Sequence, residues 1–296
     1  MEKNMTALIS CFVRYYHYEN SKYRIFSDSI AGKILSDVEK ENIKANMLNG
    51  IKFFNPDFKG TDEEALRWIV DNQLAPSVLG RSVFCEKALL NATKIGAKQY
   101  LAFASGYDTY AYRNNITDLK VFEIDKSSMI EDKVKRLNSS KIDYSGVNFI
   151  KCDFQNKNWI QNIINSNYDE KQISFCSLLG ICYYLTKEEF SNMIQNISNI
   201  LVDGSSIIFD YPTYKDDSQT KKIAELAKEA NEEMKAKYLY KEIENILSEN
   251  DFLIYEHLND LEMTNNYFEN YNVLNPNNKI TAPKGVAYCL AVKKVL

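Results

Sequence analysis

Apolar residues in the first third of the chain recur at steps of three and four positions. This spacing places them on one face of a helix and predicts helical structure up to about residue 97. Thr61 and Glu64 have the separation of a capping box, which marks a helix start, and Gly96 is typical of a helix end. The clearest helical stripe before that glycine consists of Phe84, Ala88, Leu89, Ala92 and Ile95.

Short apolar runs alternate with helical segments in the middle of the chain. This pattern is typical of buried parallel strands, so we expect an α/β fold with helices on both faces of the sheet. The helix after the second run is expected to begin at the capping box Ser128–Glu131, and the helix after the fourth at Thr186–Glu189. Gly204 is expected to end the latter. The five runs span residues 100–104, 121–124, 147–150, 173–179 and 207–210.

Residues 219–249 interrupt the alternation. Apolar residues recur there at helical spacing among many Lys and Glu, which predicts one long helix or a broken pair. Two interpretations remain open: a helix that covers the sheet, and a lid inserted between strands. Two further apolar runs, 252–258 and 286–292, predict an antiparallel strand pair. We expect a single domain, 1–296, with a helical cap (1–97), a sheet core (98–210 and 250–296) and a helical lid insertion (211–249).

The distribution of glycine argues against two classes of phosphate-binding loop. The chain has 296 residues and only 10 glycines, none of which forms a G-x-G pair. Walker A loops and the dinucleotide fingerprint both need clustered glycines to bring the backbone against phosphate groups. An NAD-dependent dehydrogenase, the closest competitor at the level of the fold, is therefore disfavoured.

Charge and cysteine content favour a cytoplasmic protein. The net charge is −4 without a long basic run, which argues against nucleic acid and anionic membranes as partners. No stretch reaches the roughly 18 apolar residues of a membrane span, and the N-terminal segment lacks the features of a signal peptide. Six cysteines without a C-x-x-C pair, together with two histidines, argue against a structural metal site and favour buried thiols in a reducing compartment.

The first three predicted strands are each followed by small or acidic residues. In an open parallel sheet, ligands bind at the carboxyl ends of the strands. The small residues Ala104–Gly106 follow the first strand and allow the turn to pass close to a ligand. Asp125 follows the second strand, where a carboxylate can accept both hydroxyls of a ribose. Asp153 and Phe154 follow the third strand, where they suit an amino group and a purine ring.

These strand ends together predict a site for an uncharged nucleoside, because two carboxylates without a basic clamp make a poor phosphate site. Each residue also has a simpler interpretation. Gly106 alone would fit an ordinary turn, Asp125 the start of the following helix, and Asp153 the opening of a loop. Their joint occurrence at three strand ends favours the nucleoside site.

The segment Phe103–Arg113 (FASGYDTYAYR) resembles the motif GAGLDTRAYR of the leucine carboxyl methyltransferase-like family. That family belongs to the class I S-adenosylmethionine-dependent methyltransferases, and its bacterial branch is associated with small-molecule and polyketide O-methylation. The resemblance extends over most of the chain. Further segments that resemble the family are 6–8, 26–28, 81–84, 121–125 (VFEID), 180–185 (GICYYL) and 209–211 (FDY).

The resemblance implies a seven-stranded, mostly parallel Rossmann-like sheet with an N-terminal helical cap and an inserted lid. It also implies S-adenosylmethionine as the cofactor. Arg81 would pair with the carboxylate of the cofactor's methionine part, for which a guanidinium offers a charge-assisted pair. The other positions carried over are Ala104, Ser105 and Gly106 for the sugar and methionine, Asp125 for the ribose hydroxyls, and Asp153 with Phe154 for the adenine.

Three positions depart from the family pattern. Ala104 stands where the family has glycine, Tyr110 where it has arginine, and Leu179 where it has glutamate. Leu179 is expected beside the cofactor's amino group, and the change removes a charge partner for an ammonium. These departures motivate an alternative function, a binding module that keeps the nucleoside pocket without turnover.

The expected reaction is the transfer of a methyl group to an oxygen of a small molecule. A carboxylate acceptor is already ionised, whereas a hydroxyl would be helped by a base. The only histidines, His17 and His257, are more typical of structural residues. Tyr183 and Tyr211 lie near predicted strand ends and are expected to line the acceptor pocket. Methylation of a protein C-terminal carboxyl is a further alternative, implied by the family's eukaryotic branch; a homo-oligomer stays possible.

Overall fold

A seven-stranded sheet runs through the centre of the computed structural model, which describes residues 5–113, 116, 118–215, 222 and 234–295. The strands are β1 Gln99–Phe103, β2 Lys120–Asp125, β3 Val147–Lys151, β4 Ser174–Leu178, β5 Ser206–Pro212, β6 Phe252–Leu258 and β7 Val286–Lys293. Their order in the sheet is β3-β2-β1-β4-β5-β7-β6. Strands β1 to β5 are parallel, and β7 runs antiparallel to both of its neighbours, β5 and β6.

Helices cover both faces of the sheet. Before the first strand come α1 Met5–Asn20, α2 Ala31–Ile34, α3 Asp37–Asn49, α4 Ile51–Phe54, α5 Asp62–Ile69 and α6 Ala75–Lys94. The helices between and after the strands are α7 Tyr110–Arg113, α8 Ser127–Ser139, α9 Ile160–Ile164, α10 Lys187–Ile200, α11 Tyr240–Glu249, α12 Asp260–Met263 and α13 Glu269–Leu274. Single π-helical turns, Val70–Leu74 and Thr264–Phe268, precede α6 and α13, and a 3₁₀ turn, Cys182–Tyr184, follows β4.

The predicted α/β fold with a mostly parallel seven-stranded sheet is confirmed. All seven predicted runs form strands, and the pair β6 and β7 is antiparallel as expected. One boundary is corrected: β5 continues to Pro212, because its pairing with β7 extends beyond residue 210, where the sequence pattern ended the strand. Tyr211 therefore lies within the sheet rather than at the start of an insertion.

Two of the three predicted capping boxes are confirmed. The hydroxyls of Thr61 and Thr186 each accept the N–H of the glutamate three residues later. The box at Ser128 was wrong: α8 begins at Ser127, with Lys126 at the capping position. The Lys126 N–H already donates to the Asp125 carboxylate at 2.7 Å, so the chain enters the helix directly from the strand end.

The end predicted for α10 is also corrected. The helix ends at Ile200, whereas Gly204, with φ of +81°, lies in the turn that leads into β5. Leu201 is already extended, with ψ of 138°, which is incompatible with a continued helix. The expected helix end at Gly96 is confirmed, since this residue has φ of +117° directly after α6.

The two faces of the sheet bury separate apolar clusters. The cap face, on which α1 and α6 pack, includes Ala102, Phe175 and Ile208. The opposite face, on which α10 and α11 pack, includes the next residue along each strand, such as Cys176 after Phe175 and Phe209 after Ile208. Because successive side chains of a strand point to opposite faces, the parity of a residue decides which environment it enters.

The predicted insertion at 211–249 lies partly outside the described residues, which omit 216–221 and 223–233. Its described end forms α11, whose Ile243 and Leu247 are fully buried on the opposite face. This helix covers the sheet next to β6. The lid interpretation concerns mainly the undescribed residues and stays a prediction, as does the division of the chain into cap, core and insertion.

The thiols are buried as the sequence predicted. All six cysteines are free and inaccessible. Among the described residues, no three His, Cys, Asp or Glu side chains come together in a way that could hold a metal ion. The helices in the described ranges are each too short or too polar to cross a bilayer.

Candidate functional site

The turn after β1 has an unusual backbone at two residues. Ala104 and Gly106 both have φ of +49°, in the left-handed region that glycine tolerates and alanine rarely adopts. Between them, Ser105 donates its N–H to the carbonyl of Ile124 in β2 at 3.3 Å. A Cβ on Gly106 would lie 3.5 Å from the Cβ of Ala7, so the turn passes directly beneath α1. The turn is thus held between the sheet and the cap.

Asp125 ties this turn to the end of β2. Its Oδ2 accepts the N–H of Gly106 at 2.8 Å, and its Oδ1 accepts the N–H of Lys126 at 2.7 Å. Burial raises the pKa of Asp125, although the two backbone N–H groups oppose the shift. A carboxylate has about four lone-pair sites, so two remain available for the hydroxyls of a ribose.

Asp153 and Phe154 lie at the end of β3, beside the same turn. Asp153 is exposed, and its Oδ1 accepts the N–H of Gln155 at 3.1 Å. The half-buried ring of Phe154 lies 6.2 Å from the ring of Phe103 and 5.2 Å from that of Trp159, between centroids. The structure therefore brings a fixed aromatic ring and an accessible carboxylate together, as an adenine would require.

One buried hydroxyl in the turn supports a bound ligand. Ser105 is 8% exposed, and its Oγ makes no hydrogen bond to any described residue. Buried polar atoms are nearly always hydrogen-bonded, and an orphan calls for a water or a ligand. With the free lone pairs of Asp125 on the same turn, this hydroxyl fits the polar sugar and methionine parts of S-adenosylmethionine.

Arg81 projects from α6 over the ends of β4 and β5. Its Nη2 donates to the Oγ of Ser10 at 3.2 Å, and its Nη1 lies 3.8 Å from Oδ2 of Asp210. Gly180, with φ of +68°, makes room for this side chain, since a Cβ there would lie 2.5 Å from Nη1. The guanidinium is therefore fixed against the backbone and keeps donors free for a carboxylate.

Leu179 and Tyr183 lie on either side of that glycine. Leu179 is half-buried and packs against the apolar cluster of the cap face. Tyr183 donates its hydroxyl to Oδ2 of Asp210 at 2.9 Å. Position 179 thus carries no charge, whereas Asp210 on the neighbouring strand is a buried carboxylate.

Tyr211 lies on the opposite face of β5 from Asp210. It is 1% exposed, and its hydroxyl is 2.7 Å from Nε2 of His257. The structure does not bring Tyr211 together with Tyr183, because one residue along a strand reverses the direction of the side chain. The role of Tyr211 in acceptor binding stays a prediction. Its side chain lies on the opposite face of the sheet from Tyr183 and Asp210.

His17 is a structural residue of the cap. It is 1% exposed, and its Nε2 accepts the N–H of Ile25 at 3.0 Å. Burial lowers its pKa to about 4, with Arg24 and Arg67 adding to the shift. The imidazole is therefore neutral at physiological pH and is bonded within the cap.

Asp28 holds the cap onto the turn after β1, a role that sequence reasoning missed. Its carboxylate accepts hydrogen bonds from Nε of Arg14 at 2.8 Å and from Oγ1 of Thr109 at 2.7 Å, and Nε of Arg113 lies 3.4 Å away. Arg14 also donates to the carbonyl of Tyr107 at 2.6 Å. Burial acts to raise the pKa of Asp28, but the two arginines outweigh it and hold the pKa below its usual value.

A buried ion pair lies behind the same turn. Glu123 and Lys133 are almost fully buried, with 2.5 Å between Oε2 and Nζ, and Tyr112 donates to both carboxylate oxygens at 3.0 Å. Burial raises the pKa of Glu123 to about 7, against the opposing effect of Lys133. Thr109, Tyr112 and Arg113 therefore brace the turn from behind. All three residues lie in the segment Phe103–Arg113 that resembles the family motif, but their hydrogen-bond partners could not be read from the sequence.

Two of the three departures from the family pattern leave the turn intact. Ala104 keeps the left-handed backbone of the glycine it replaces, at a cost of about 1–2 kcal/mol. Tyr110 is 8% exposed and packs edge-on against Tyr100, with 5.2 Å between ring centroids. Only Leu179 removes a charged group from the ligand side.

Comparison with known proteins identifies the family of the chain. The family model described as Leucine carboxyl methyltransferase matches residues 7–198, which include the turn after β1 and the end of β4. The Bacillus subtilis protein YktD, whose name describes S-adenosyl-L-methionine-dependent methyl transfer, is 33% identical over 99% of each chain.

Solved structures share the fold at low identity. A DUF574 family protein of Streptomyces avermitilis has a TM-score of 0.58 at 12% identity, over 96% of this chain and 97% of that one. A Thermobifida fusca chain described as a methyltransferase has a TM-score of 0.55 at 15% identity, over 84% and 94%. By its family match and its similarity to YktD, the chain belongs to the leucine carboxyl methyltransferase family of class I S-adenosylmethionine-dependent methyltransferases.

Proposed function

We propose that the protein transfers the methyl group of S-adenosylmethionine to an oxygen atom of a small molecule. The family's name refers to a carboxyl acceptor, which supports oxygen as the methylated atom. The bound cofactor supplies an activated methyl group on a sulfonium, and the protein mainly orients the reactants. The resemblance to the bacterial branch favours a polyketide or a similar metabolite.

A bridge between two cap helices supports a small acceptor. Ser10 of α1 contacts Arg81 of α6 at 3.2 Å across the ends of β4 and β5. Asp210 beneath them is only 1% exposed. A protein C-terminus would need an open groove at this place, and the bridge narrows it. The enclosed strand ends therefore favour a small molecule over a polypeptide acceptor.

The partners of the titratable groups favour an acceptor that is already ionised. His17 bonds within the cap and His257 bonds to Tyr211 on the opposite face. The two carboxylate oxygens of Asp210 already accept hydrogen bonds from the N–H of Gly180 and the hydroxyl of Tyr183. A carboxylate acceptor needs no base, so we favour it over a hydroxyl.

A cytoplasmic location belongs to the same proposal. Six buried free thiols suit a reducing compartment. A small-molecule acceptor would be met there together with the cofactor.

Titration calorimetry with S-adenosylhomocysteine tests the cofactor site. We expect the intact protein to bind this ligand. The affinity of Asp125→Asn should be about 10- to 100-fold weaker, because the variant lacks the negative charge that accepts hydrogen bonds from the turn and, in the proposal, from the ribose hydroxyls. Asp169→Asn is the matched control, because Asp169 lies at the other end of the sheet, before β4. Equal binding by Asp125→Asn and the intact protein would contradict the site.

A product screen with isotope-labelled cofactor tests the acceptor. We expect labelled methyl esters from a set of small carboxylic acids, at many turnovers per protein. Hydroxylated aromatics and a peptide with a free C-terminus are included for comparison. A product methylated on nitrogen or sulfur, or faster labelling of the peptide, would overturn the proposal.

A binding module without turnover is the second candidate, favoured by Leu179. It predicts calorimetric binding of the cofactor together with no labelled product beyond one equivalent. Catalytic turnover with any acceptor eliminates it.

A further inference from the structure

Three residues form one row on the cap face, near the carboxyl ends of β4 and β5 and the amino end of the antiparallel β7. Leu178 pairs with Phe209, so Leu179 and Asp210 follow side by side. Asp210 in turn pairs directly with Tyr288 of β7. Side chains opposite one another on the same face lie about 5 Å apart. Asp210 therefore presents its charge one strand away from position 179.

Asp210 and Arg81 attract each other without completing a hydrogen bond. The carboxylate accepts the N–H of Gly180 at 2.7 Å and the hydroxyl of Tyr183 at 2.9 Å, whereas Nη1 of Arg81 stays at 3.8 Å. A carboxylate has about four lone-pair sites and a guanidinium about five donors. Arg81 uses one of these donors in its hydrogen bond to Ser10. Both charged groups thus keep bonding capacity on the ligand side.

The hydroxyl of Tyr288 gives a second and independent indication of a ligand. Tyr288 is 0% exposed, and its hydroxyl has no hydrogen-bond partner among the residues described. This hydroxyl would lie 3.1 Å from a Cβ on Gly80, the residue before Arg81. Because Asp210 pairs with Tyr288 across the sheet and Gly80 directly precedes Arg81, both charged residues lie beside this tyrosine. Burial and the charge of Asp210 raise the pKa of Tyr288, and Arg81 opposes them. A buried orphan hydroxyl beside a cation and an anion is where a polar ligand is expected.

The combination of charges selects the chemistry of that ligand. A phosphate or dicarboxylate would be repelled by Asp210, and a polyamine by Arg81. The head group of an α-amino acid carries an ammonium and a carboxylate on the same carbon, so it can contact both residues at once. The methionine part of the cofactor ends in such a head group.

We propose that Asp210 binds the ammonium of the cofactor, while Arg81 and the hydroxyl of Tyr288 bind its carboxylate. The inference rests on the proposed function, since it extends the same cofactor site. It also explains Leu179: the negative charge is supplied from β5, one strand further along the sheet. The departure at position 179 is then compatible with catalytic turnover.

The competing role for Asp210 is that of a general base for the acceptor. Both of its carboxylate oxygens already accept hydrogen bonds, from the N–H of Gly180 and the hydroxyl of Tyr183, and Arg81 lies 3.8 Å away. The two roles differ in what they do to cofactor binding. An ammonium partner changes the affinity for the head group, whereas a base changes the rate only.

Calorimetry with three ligands separates these roles. S-adenosylhomocysteine has the full head group, its deaminated analogue lacks only the ammonium, and 5′-methylthioadenosine lacks the head group entirely. We expect Asp210→Asn to weaken S-adenosylhomocysteine about 10- to 100-fold and to leave the other two ligands within about twofold. Asp169→Asn is expected to change none of them. Circular dichroism and thermal unfolding check that each variant is folded.

Two further variants sharpen the test. Leu179→Glu added to Asp210→Asn is expected to restore most of the lost affinity, because it returns a carboxylate to the adjacent position. Tyr288→Phe removes a hydroxyl that no described residue satisfies, so the fold should tolerate it. We expect it to weaken S-adenosylhomocysteine about three- to tenfold and to leave 5′-methylthioadenosine unchanged.

The outcomes that overturn the inference are distinct. Equal losses for all three ligands would show that Asp210 is structural, and unchanged affinity with lost turnover would make it a base. If Asp210→Asn does not fold, Tyr288→Phe decides, and an unchanged affinity for S-adenosylhomocysteine rejects the head-group site. Failure of the intact protein to bind even 5′-methylthioadenosine would instead reject the cofactor site itself, and the inference with it.

Discussion

The cap face and the opposite face of the sheet differ sharply at the carboxyl ends of the strands. On the cap face, Arg81, Asp210 and Tyr288 leave charge and hydroxyl capacity unused. On the opposite face, Phe209 and Phe190 close the space with 5.3 Å between ring centroids. One strand, β5, supplies residues to both. Both faces bury an apolar cluster, and the comparison teaches that the proposed ligand contacts come from one side of strands whose other side is closed by packing alone.

Part of the left-handed backbone lies on the side of the candidate site. Ala104, Gly106 and Gly180 have positive φ at the strand ends where the cofactor is expected, whereas Gly96, Lys141, Gly204 and Asp251 have it in turns elsewhere. Strained conformations persist where the surroundings enforce them, and they are frequent at ligand sites. If the two faces are independent, a change on one face should leave the property carried by the other unchanged. Four experiments test this separation, from the largest expected effect to the smallest.

Phe190→Ala should affect stability alone. Phe190 is 0% exposed and contacts the rings of Phe209 and Tyr238 at 5.3 and 5.6 Å. Emptying this space should cost about 3–5 kcal/mol in the free energy of unfolding, measured by urea denaturation. Affinity for S-adenosylhomocysteine should stay within about twofold in the folded variant. A tenfold loss of affinity would show that the faces are coupled.

Asp28→Asn should affect both properties, because it loosens the cap over the turn. Removing one partner of a buried charge network costs about 3 kcal/mol. Asp37→Asn is the control, since Asp37 is 96% exposed in its pair with Lys40, and should cost less than about 1 kcal/mol. The lowered pKa of Asp28 means that its contribution is lost as pH falls through the folded-state value. The variant and the intact protein should therefore converge in stability at acid pH.

The pH dependence of stability should reveal the Glu123–Lys133 pair. The folded-state pKa of Glu123 is about 7, above its ordinary 4.5. Between these values the folded state holds a proton that the unfolded state has released, so stability should fall as pH rises through this window, by about 1–3 kcal/mol. His17, whose pKa is lowered to about 4, gives the opposite slope. The free energy of unfolding is therefore measured against pH for both the intact protein and Glu123→Gln. The variant should lack only the fall in stability that Glu123 causes. Parallel curves for the two proteins would contradict this role of Glu123.

Gly180→Ala should weaken cofactor binding more than it weakens the fold. The new methyl group would meet Nη1 of Arg81 at 2.5 Å and displace the guanidinium. We expect affinity for S-adenosylhomocysteine to fall about tenfold, which corresponds to about 1.4 kcal/mol. Gly204→Ala is matched for strain, with φ of +81°, but has no neighbour within 4 Å. It should lose about 1 kcal/mol of stability with unchanged affinity; equal affinity losses would reject the steric explanation.

The fold could be predicted from the sequence because its signals are local. Apolar runs and capping boxes each depend on a few consecutive residues, and most element boundaries follow from them. The error at Ser128 arose because the strand end at Asp125 takes the Lys126 N–H and starts the helix early. The small and acidic residues that follow the strands likewise depend only on local sequence, and the nucleoside site they predict stays a prediction.

The other residues of the candidate site are brought together by the pairing register of the strands, which cannot be read from a local sequence pattern. Asp210 and Tyr211 are consecutive residues, and only the position of β5 between β4 and β7 shows which one faces the cap. The proximity of Leu179 to Asp210 also follows from strand pairing. Asp28 joins residues from three segments, so its importance was hidden although the residue itself lay in a recognised segment.

The position of β7 has a consequence for how the molecule assembles. Strand β5 ends at Pro212 and its partner β7 begins at Val286, so their pairing closes a long loop. Contacts between distant parts of a chain form slowly, and until then β5 has an open edge. Until this pairing forms, Tyr288 is absent from the row beside Asp210. Competence to hold the amino-acid end of the cofactor would therefore be acquired late in folding, in the step that completes the sheet.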